Sequence, residues 1–357
     1  MTLSSRDWHE TFVELMQSEP INNCNANWGC YHIDGVAIPY SIALKRKDNC
    51  YAVSPMTLVS GYAEEELPKI NSAGVRLACK LLINIVKPIL YFAGLDQVQT
   101  LNNQCLSTNM YSCEWANVDT VKLRCLALRK YPTLPVVLRS LNQHQYSGII
   151  KRLESQQWHA LTTRQVYVFD DWQLFHFSRD LKKDFKLLND PCWQFKTVTT
   201  DSDFQRAKAL YDMLYLEKYS FNNIQFSSRY LKEASQNKLL NLVGLYYRGE
   251  MLAVLGIVEI DQDMTCPIFG YDTTKPQHLA LYRRISAYTI HYAKVHQRCF
   301  NMSSGAPTFK RNRNGRPVIE CSYVYIAHLP FYRRLIWRGL FWLTQHIYQP
   351  LLLRFKL

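Results

Sequence analysis

LLNLVGLYYRGEMLAVLGIVEIDQDMTCPIFGY, Leu239 to Tyr271, is the stretch that decides the fold. Leu239 to Tyr247 is rich in Leu, Val and Tyr and reads as a strand. Arg248–Gly249–Glu250 is a tight turn. Met251 to Ile260 is a second, strongly apolar strand. Asp261–Gln262–Asp263 turns the chain again, and Met264 to Tyr271 is a third. Three strands joined by such short turns must run antiparallel. Upstream, Phe195 to Thr199 is a further strand. Asp201 or Ser202 can cap a helix to about Tyr219, where Phe204, Ala207, Leu210, Tyr211 and Leu214 recur at helical spacing. Downstream, Pro276 and His278 precede a helix from Leu279 to Gln297. Cys299 to Ser303 is a strand, a basic loop follows, and Val318 to Ala327 is a last strand. Antiparallel strands come first, and a helix then leads into a nearly parallel strand. The fold class is therefore α/β of the α+β kind: a mixed, mostly antiparallel sheet flanked by helices.

The rest of the chain gives weaker signals. Asp7 to Gln17 reads as a short amphipathic helix. Ile38 to Leu44 and Asn49 to Pro55 read as a hairpin around Lys45–Asp48. Gly61 to Ile70 and Asn71 to Leu90 read as helices, the second limited by Pro88. Val118 to Leu128 and Leu134 to Arg139 read as helix and strand. Gln165 to Phe177 reads as two short strands, QVYVF and QLFHF. Ser178 to Lys186 is a charged helix, and Asn189–Asp190–Pro191 breaks the chain. The domain boundary is placed there, dividing the chain into 1–190, 191–328 and a basic amphipathic C-terminal helix, 329–357.

With 357 residues and 48% hydrophobic content, the chain can bury two cores and is not mainly disordered. The net charge of +13 is unevenly placed. Thr273 to Leu357 carries 14 Lys or Arg and one acid, Glu320, so all the excess lies in the last quarter. Such a field suits a phosphorylated cofactor, a nucleic acid or an anionic lipid surface, or it is a solvated basic face. None of the 11 Cys forms a C-x-x-C pair, and no second pair joins Cys24 and Cys30 in a zinc spacing. The first twenty residues include acids and no long apolar run, so no secretory signal is expected, and the thiols read as reduced and cytoplasmic. Leu77 to Leu95 and Trp337 to Leu353 are the most apolar stretches, and charges and prolines interrupt both, so no spanning helix is expected.

The second half resembles the GNAT superfamily, specifically the two-domain branch of FemABX-type and cellulose-biosynthesis-type acyltransferases. The resemblance is carried by Leu216–Glu217–Lys218–Tyr219–Ser220, Phe269–Gly270–Tyr271–Asp272, Leu281–Tyr282–Arg283 and the segment from Asn301 to Arg311. Val53 to Leu67 and His328 to Arg334 also look like relatives described as N-acetyltransferases. The resemblance implies two tandem GNAT-like domains, the first degenerate. It also implies an activated acyl donor, with acyl-CoA such as acetyl-CoA as co-substrate, and a small-molecule amine acceptor. In such a sheet two strands splay beside a helix N-terminus, which meets a pyrophosphate. Here the pair would be Met264–Tyr271 and Cys299–Ser303. One departure matters: the usual Gln/Arg-x-x-Gly-x-Gly/Ala loop is replaced by Lys275-Pro-Gln-His-Leu-Ala-Leu-Tyr-Arg283, which has no glycine. The FemABX branch uses aminoacyl-tRNA as donor, so either donor fits the residues.

Candidate residues follow, each with a plainer alternative. Tyr271 could protonate a leaving thiolate and Asp272 take a proton from the amine, or they are a core Tyr and a capping Asp. Ser303, Ser304 and Gly305 could hold a thioester carbonyl, or simply cap a strand. Arg283, Arg284, Lys310, Arg311 and Arg313, with Arg316, could grip donor phosphates, or face water. His278, His291 and His296 do not share a helical face, so no metal site is expected. Cys266 and Cys299 read as buried thiols. Leu329 to Leu357 is basic and aromatic and could lie in a membrane interface or pack on the first domain. The leading expectation is a cytoplasmic N-acyltransferase, with peripheral contact at the inner membrane surface through the C-terminal helix as an addition. The alternatives are an aminoacyl-tRNA-dependent transferase and a catalytically silent membrane-surface or scaffold protein.

Overall fold

A computed structural model describes residues 5–45, 48–61, 64–65, 67 and 72–355. In chain order the helices are α1 (Ser5–Gln17), α2 (Ala73–Ala93), α3 (Thr120–Lys130), α4 (Gln143–Ser155), α5 (Arg179–Lys186), α6 (Asp201–Asp212), α7 (Ser228–Gln236), α8 (Leu281–Val295), α9 (Pro307–Arg311), α10 (Phe331–Leu343) and α11 (Gln349–Phe355). The strands are β1 (Ala26–Ile33), β2 (Val36–Ala43), β3 (Gln99–Leu101), β4 (Val136–Asn142), β5 (His159–Phe169), β6 (Trp193–Thr197), β7 (Asn241–Tyr247), β8 (Glu250–Ile260), β9 (Asp263–Tyr271), β10 (Cys299–Asn301) and β11 (Arg316–Tyr325).

The strand–turn–strand–turn–strand reading of Leu239 to Tyr271 is realised as β7, β8 and β9, paired antiparallel. Arg248 and Gly249 both have positive φ, the conformation a two-residue hairpin turn needs. All described strands join one sheet in the order β1-β2-β3-β4-β11-β5-β10-β9-β8-β7-β6. Each half repeats one pattern. Three antiparallel neighbours (β1–β3) lead into a parallel β3–β4 pair, and four (β6–β9) lead into a parallel β9–β10 pair. This is a tandem GNAT-like arrangement. The halves meet where β5 pairs antiparallel with β10. The last strand does not remain with the second half, where the sequence places it. β11 inserts between β4 and β5, pairing antiparallel with both. Its consecutive residues Tyr323 and Val324 are buried in two different first-half cores, and strand order along the chain carries no information about such an exchange.

Several local expectations change. The first hairpin is β1–β2, turning at Asp34 and Gly35 (both positive φ) rather than at Lys45–Asp48. Residues 46 and 47 lie outside the described set, as does most of the helix expected from Gly61 to Ile70. Pro88 does not end its helix. α2 begins at the Ser72 cap, runs through Pro88 and stops at Gly94, whose φ of 79° lets its N–H reach the Leu90 and Tyr91 carbonyls. QLFHF is not a strand; Phe175 and Phe177 instead join an aromatic cluster with Phe169 and Trp172. The C-terminal segment is two helices, α10 and α11, separated by a π turn at Thr344–Tyr348. α10 packs Trp337 and Phe341 against Leu90, Leu95 and Val324 of the first half.

A half-buried carboxylate also ties the halves together. Asp263, opening β9, accepts hydrogen bonds from Tyr146 Oη at 2.5 Å and Gln145 Nε2 at 3.3 Å, both on α4. Burial pushes its pKa up from 3.8 to about 6, outweighing those hydrogen bonds. The folded protein therefore binds this proton more tightly than the unfolded chain, and this group's contribution to stability falls as pH rises from about 4 to about 6. Asp263→Asn keeps an oxygen for Tyr146. It is expected to stabilise the protein by about 1–2 kcal/mol at pH 7.5 and by little at pH 4. Urea unfolding at the two pH values checks this; equal effects would refute it.

Candidate functional site

The site starts from a defect in the sheet. β9 and β10 pair only over Asp263↔Cys299, Met264↔Phe300 and Thr265↔Asn301. Beyond Thr265, β9 bulges against β8, since Val258 pairs with Thr265 but Gly256 pairs with Ile268. Pro267 lies inside that bulge and has no N–H to offer a ladder. Meanwhile Met302 and Ser303 leave β9 and bond to Tyr167 of β5. The strands therefore splay and open a cleft of about 390 Å³. Cys266 and Phe269 form one wall, Phe300 and Met302 the other, and Leu214, Tyr215, Lys218 and Tyr219 the rim. The β9 edge that faces this gap can pair with an extended amide-bearing chain.

The turn at the end of β10 closes the cleft. Ser303, Gly305 and Ala306 all have positive φ. Lys310, on the short α9, is only 3% exposed, and its Nζ donates to the carbonyls of Met302 (2.8 Å), Ser303 (3.1 Å) and Ser304 (2.8 Å). Burial, with Arg164 adding repulsion, lowers its pKa to about 7, while the three carbonyls favour the charged form. Three consecutive carbonyls are thus gathered on one ammonium. The N–H groups of Ser304 and Gly305 donate to no group among the described residues.

A second chamber of about 260 Å³ shares Tyr215, Asn223, Ser303 and Ser304 with the cleft. Its far side comes from the first half and the inserted strand: Arg139 of β4, Arg164 of β5 and Glu320 of β11. Arg139 Nη1 donates to Ala52 O, Asn103 Oδ1 and Leu106 O. Arg164 Nε holds Glu320 Oε1 at 2.7 Å. Glu320 is 2% exposed, and its Oε2 makes no hydrogen bond among the described residues.

The residues singled out in the sequence are distributed unevenly around this site. Ser303, Ser304, Gly305 and Lys310 line the cleft together. Tyr271 and Asp272 do not line it. Tyr271 sits beside its rim, its hydroxyl accepting from Lys218 Nζ at 3.4 Å. Asp272 closes a turn by accepting from Thr274 N and Oγ1 and from Arg206 Nη2. Burial raises its pKa, but these hydrogen bonds outweigh that and leave it below the usual carboxylate value, which suits a cap better than a base. Arg283 and Arg313 both hold Asp184 of α5, at 2.7 and 2.5 Å. Arg284 holds Asp190 and the Leu187 carbonyl and stacks on Trp193. These three guanidinium groups fasten α5 and the segment after it to the second half rather than stand free for a phosphate. Arg311 reaches across to Gln165 Oε1 at 2.6 Å. The missing glycine has a structural counterpart: Ala280, directly before α8, takes a left-handed φ of 54°. Among the described residues no group of three or more His, Cys, Asp or Glu could hold a metal. The sequence reading took Cys266 as a buried thiol and gave Phe269, Phe300 and Asn223 no site role, yet all four line the cleft; the proline inside an apolar strand was the available signal.

A tandem mixed sheet with a splayed, bulged central strand pair and a cleft between the splayed strands defines this protein as GNAT-fold, in the two-domain FemABX-type arrangement. Solved structures share that arrangement nearly end to end. FemX superposes with a TM-score of 0.55 at 7% identity, over 90% of this chain and 92% of its own. L-PGS from Bacillus licheniformis gives 0.51 at 9%, over 94% and 97%. The C-terminal domain of a putative lysylphosphatidylglycerol synthetase from Agrobacterium fabrum gives 0.51 at 9%, over 95% and 98%. No protein-family profile matches the sequence, and no curated protein matches it.

Proposed function

We propose that the protein is an N-acyltransferase whose donor is an acyl thioester of the CoA type. The observation that carries this is the β9–β10 cleft ending on the Ser303–Gly305 turn. An extended pantetheine-like arm fits the open edge of β9, and its carbonyl would end where the Ser304 and Gly305 N–H groups can take up developing negative charge. The acceptor amine enters from the second chamber. Its nitrogen forms the C–N bond and the C–S bond breaks. Glu320 Oε2 receives the amine proton, and the thiolate leaves to be protonated from the cleft rim, where Lys218 and Tyr271 stand. Binding of CoA is measured by isothermal titration and turnover by thiol release. Cys266→Phe fills the cleft and is expected to weaken CoA binding at least about tenfold. Glu320→Gln is expected to keep CoA affinity and lose about a hundredfold in turnover. Absence of binding to any CoA thioester would remove the donor assignment.

A second reading has its own support. The likeness to FemX and to a lysylphosphatidylglycerol synthetase domain spans both halves, and the basic last quarter suits a polyanion. If the donor is an aminoacyl-tRNA, tRNA affinity falls steeply with salt, and a flat salt response excludes it. Both readings place the protein in the cytoplasm, where either donor is available.

A further inference from the structure

We infer that the face formed by α2 and the C-terminal helices docks on an anionic lipid surface. α2 is 21 residues long and strongly apolar, yet only Leu90 and Ala93, at its C-terminal end, are buried. Val75, Leu77, Leu81, Leu82, Ile85 and Phe92 are each more than half exposed. Leu77, Leu81, Ile85 and Phe92 recur at spacings of four and seven residues, so they share one face. Phe92 stacks on Tyr332 with ring centroids 4.8 Å apart, which carries the apolar surface onto α10 and from there to α11. Among the described residues, seventeen of the twenty-two exposed large apolar side chains lie on these helices and the π turn that joins α10 to α11. That concentration is unlike the scattered apolar exposure of an ordinary surface and marks an interaction site.

Charge identifies the occupant. α2 and the segment 331–355 contain no Asp or Glu, and Arg76, Lys80, Arg338 and Arg354 are exposed on them. An acid that borders the face, Glu64, is neutralised by Lys87 of α2 at 2.7 Å. Apolar residues flanked by bases, with no acid on the helices themselves, are the pattern of a helix lying in the headgroup region of an anionic bilayer. A second copy fits less well. A two-fold interface sets each patch on itself and so brings these like charges together. No helix among the described residues is long and apolar enough to cross a membrane, so the docking is peripheral.

The full chain is sedimented with vesicles of phosphatidylcholine alone and of phosphatidylcholine with phosphatidylglycerol. Binding at least about tenfold tighter to the anionic vesicles is expected, weakening as salt rises. Leu81→Glu/Ile85→Glu alters only exposed positions and is expected to abolish binding with an unchanged thermal melt. Arg76→Glu/Lys80→Glu is expected to remove the preference for anionic lipid. Absence of vesicle binding, or binding indifferent to both variants, overturns the inference. So does a tight dimer in analytical ultracentrifugation that Leu81→Glu/Ile85→Glu converts to monomer, since a second copy then covers the face.

Discussion

Lys310→Met is expected to cost about 2 kcal/mol of stability and at least about a hundredfold in turnover. The three carbonyls of Met302, Ser303 and Ser304 converge on one buried Nζ. Methionine matches the chain length but leaves the Met302 and Ser304 carbonyls unpaired, each at a cost of about 1 kcal/mol, while Ser303 O keeps its 3.3 Å hydrogen bond from Tyr167 N. The turn they belong to is strained, with positive φ at Ser303, Gly305 and Ala306, and only surrounding contacts hold it. Once released, Ser304 and Gly305 no longer present their N–H groups at a fixed point. Lys310→Arg is not expected to rescue, because a planar guanidinium cannot converge three donors from that position. The pH dependence separates this from simple loss of packing. The folded Lys310 pKa is lowered toward 7, below its unfolded 10.5, so the unfolded chain holds this proton more tightly. Wild-type stability therefore gains from this group between about pH 7 and pH 10, and the gap to Lys310→Met should widen over that range. Unfolding curves across those pH values check the sign. A constant gap would show that the ammonium is not shifted, and unchanged turnover would remove Lys310 from the site.

Asp184→Ala is expected to destabilise the protein by about 3–5 kcal/mol. The carboxylate is completely buried and receives Arg283 on one oxygen and Arg313 on the other. The two cations differ. Arg283 is 42% exposed and recovers solvent when its partner is lost, whereas Arg313 is 7% exposed and would be left as a lone cation over the Phe309 ring. Most of the cost therefore lies in the abandoned Arg313. Arg283→Ala should cost less than about 1 kcal/mol. Asp184→Leu/Arg313→Leu should recover a large part of the loss, because no buried charge then lacks a partner. Denaturant unfolding of the three variants measures this. If the double variant is no better than Asp184→Ala, the loss comes from packing and the ion-pair account fails.

The same residues show where sequence reasoning stops. Arg283, Arg284 and Arg313 were natural phosphate ligands in a basic stretch, since their acidic partners, Asp184 and Asp190, lie about a hundred positions away on α5 and the segment after it. Asp272 could be read as a base or as a cap at the end of a strand, and the structure gives it a turn to cap. Ser303, Ser304 and Gly305 stand together at a strand end in the sequence, but Lys310, read there as a phosphate ligand, turns inward onto three backbone carbonyls. Glu320 attracted notice only as the lone acid in the last quarter. Its chamber is assembled from β4, β5 and β11.

What the sequence determined by itself is local. Apolar runs and tight turns between Leu239 and Tyr271 specify three antiparallel strands, because side-chain alternation and turn geometry act over a few residues. The helix that follows and the short strand after it complete a GNAT-like half. Only the tertiary structure decided the rest. It set β11 between two strands of the other half, turned three arginines onto acidic partners, and left α2 apolar and largely uncovered. Each of these depends on which distant surface a segment meets, and strand partners and buried charge pairs far apart in the chain leave no periodicity to read.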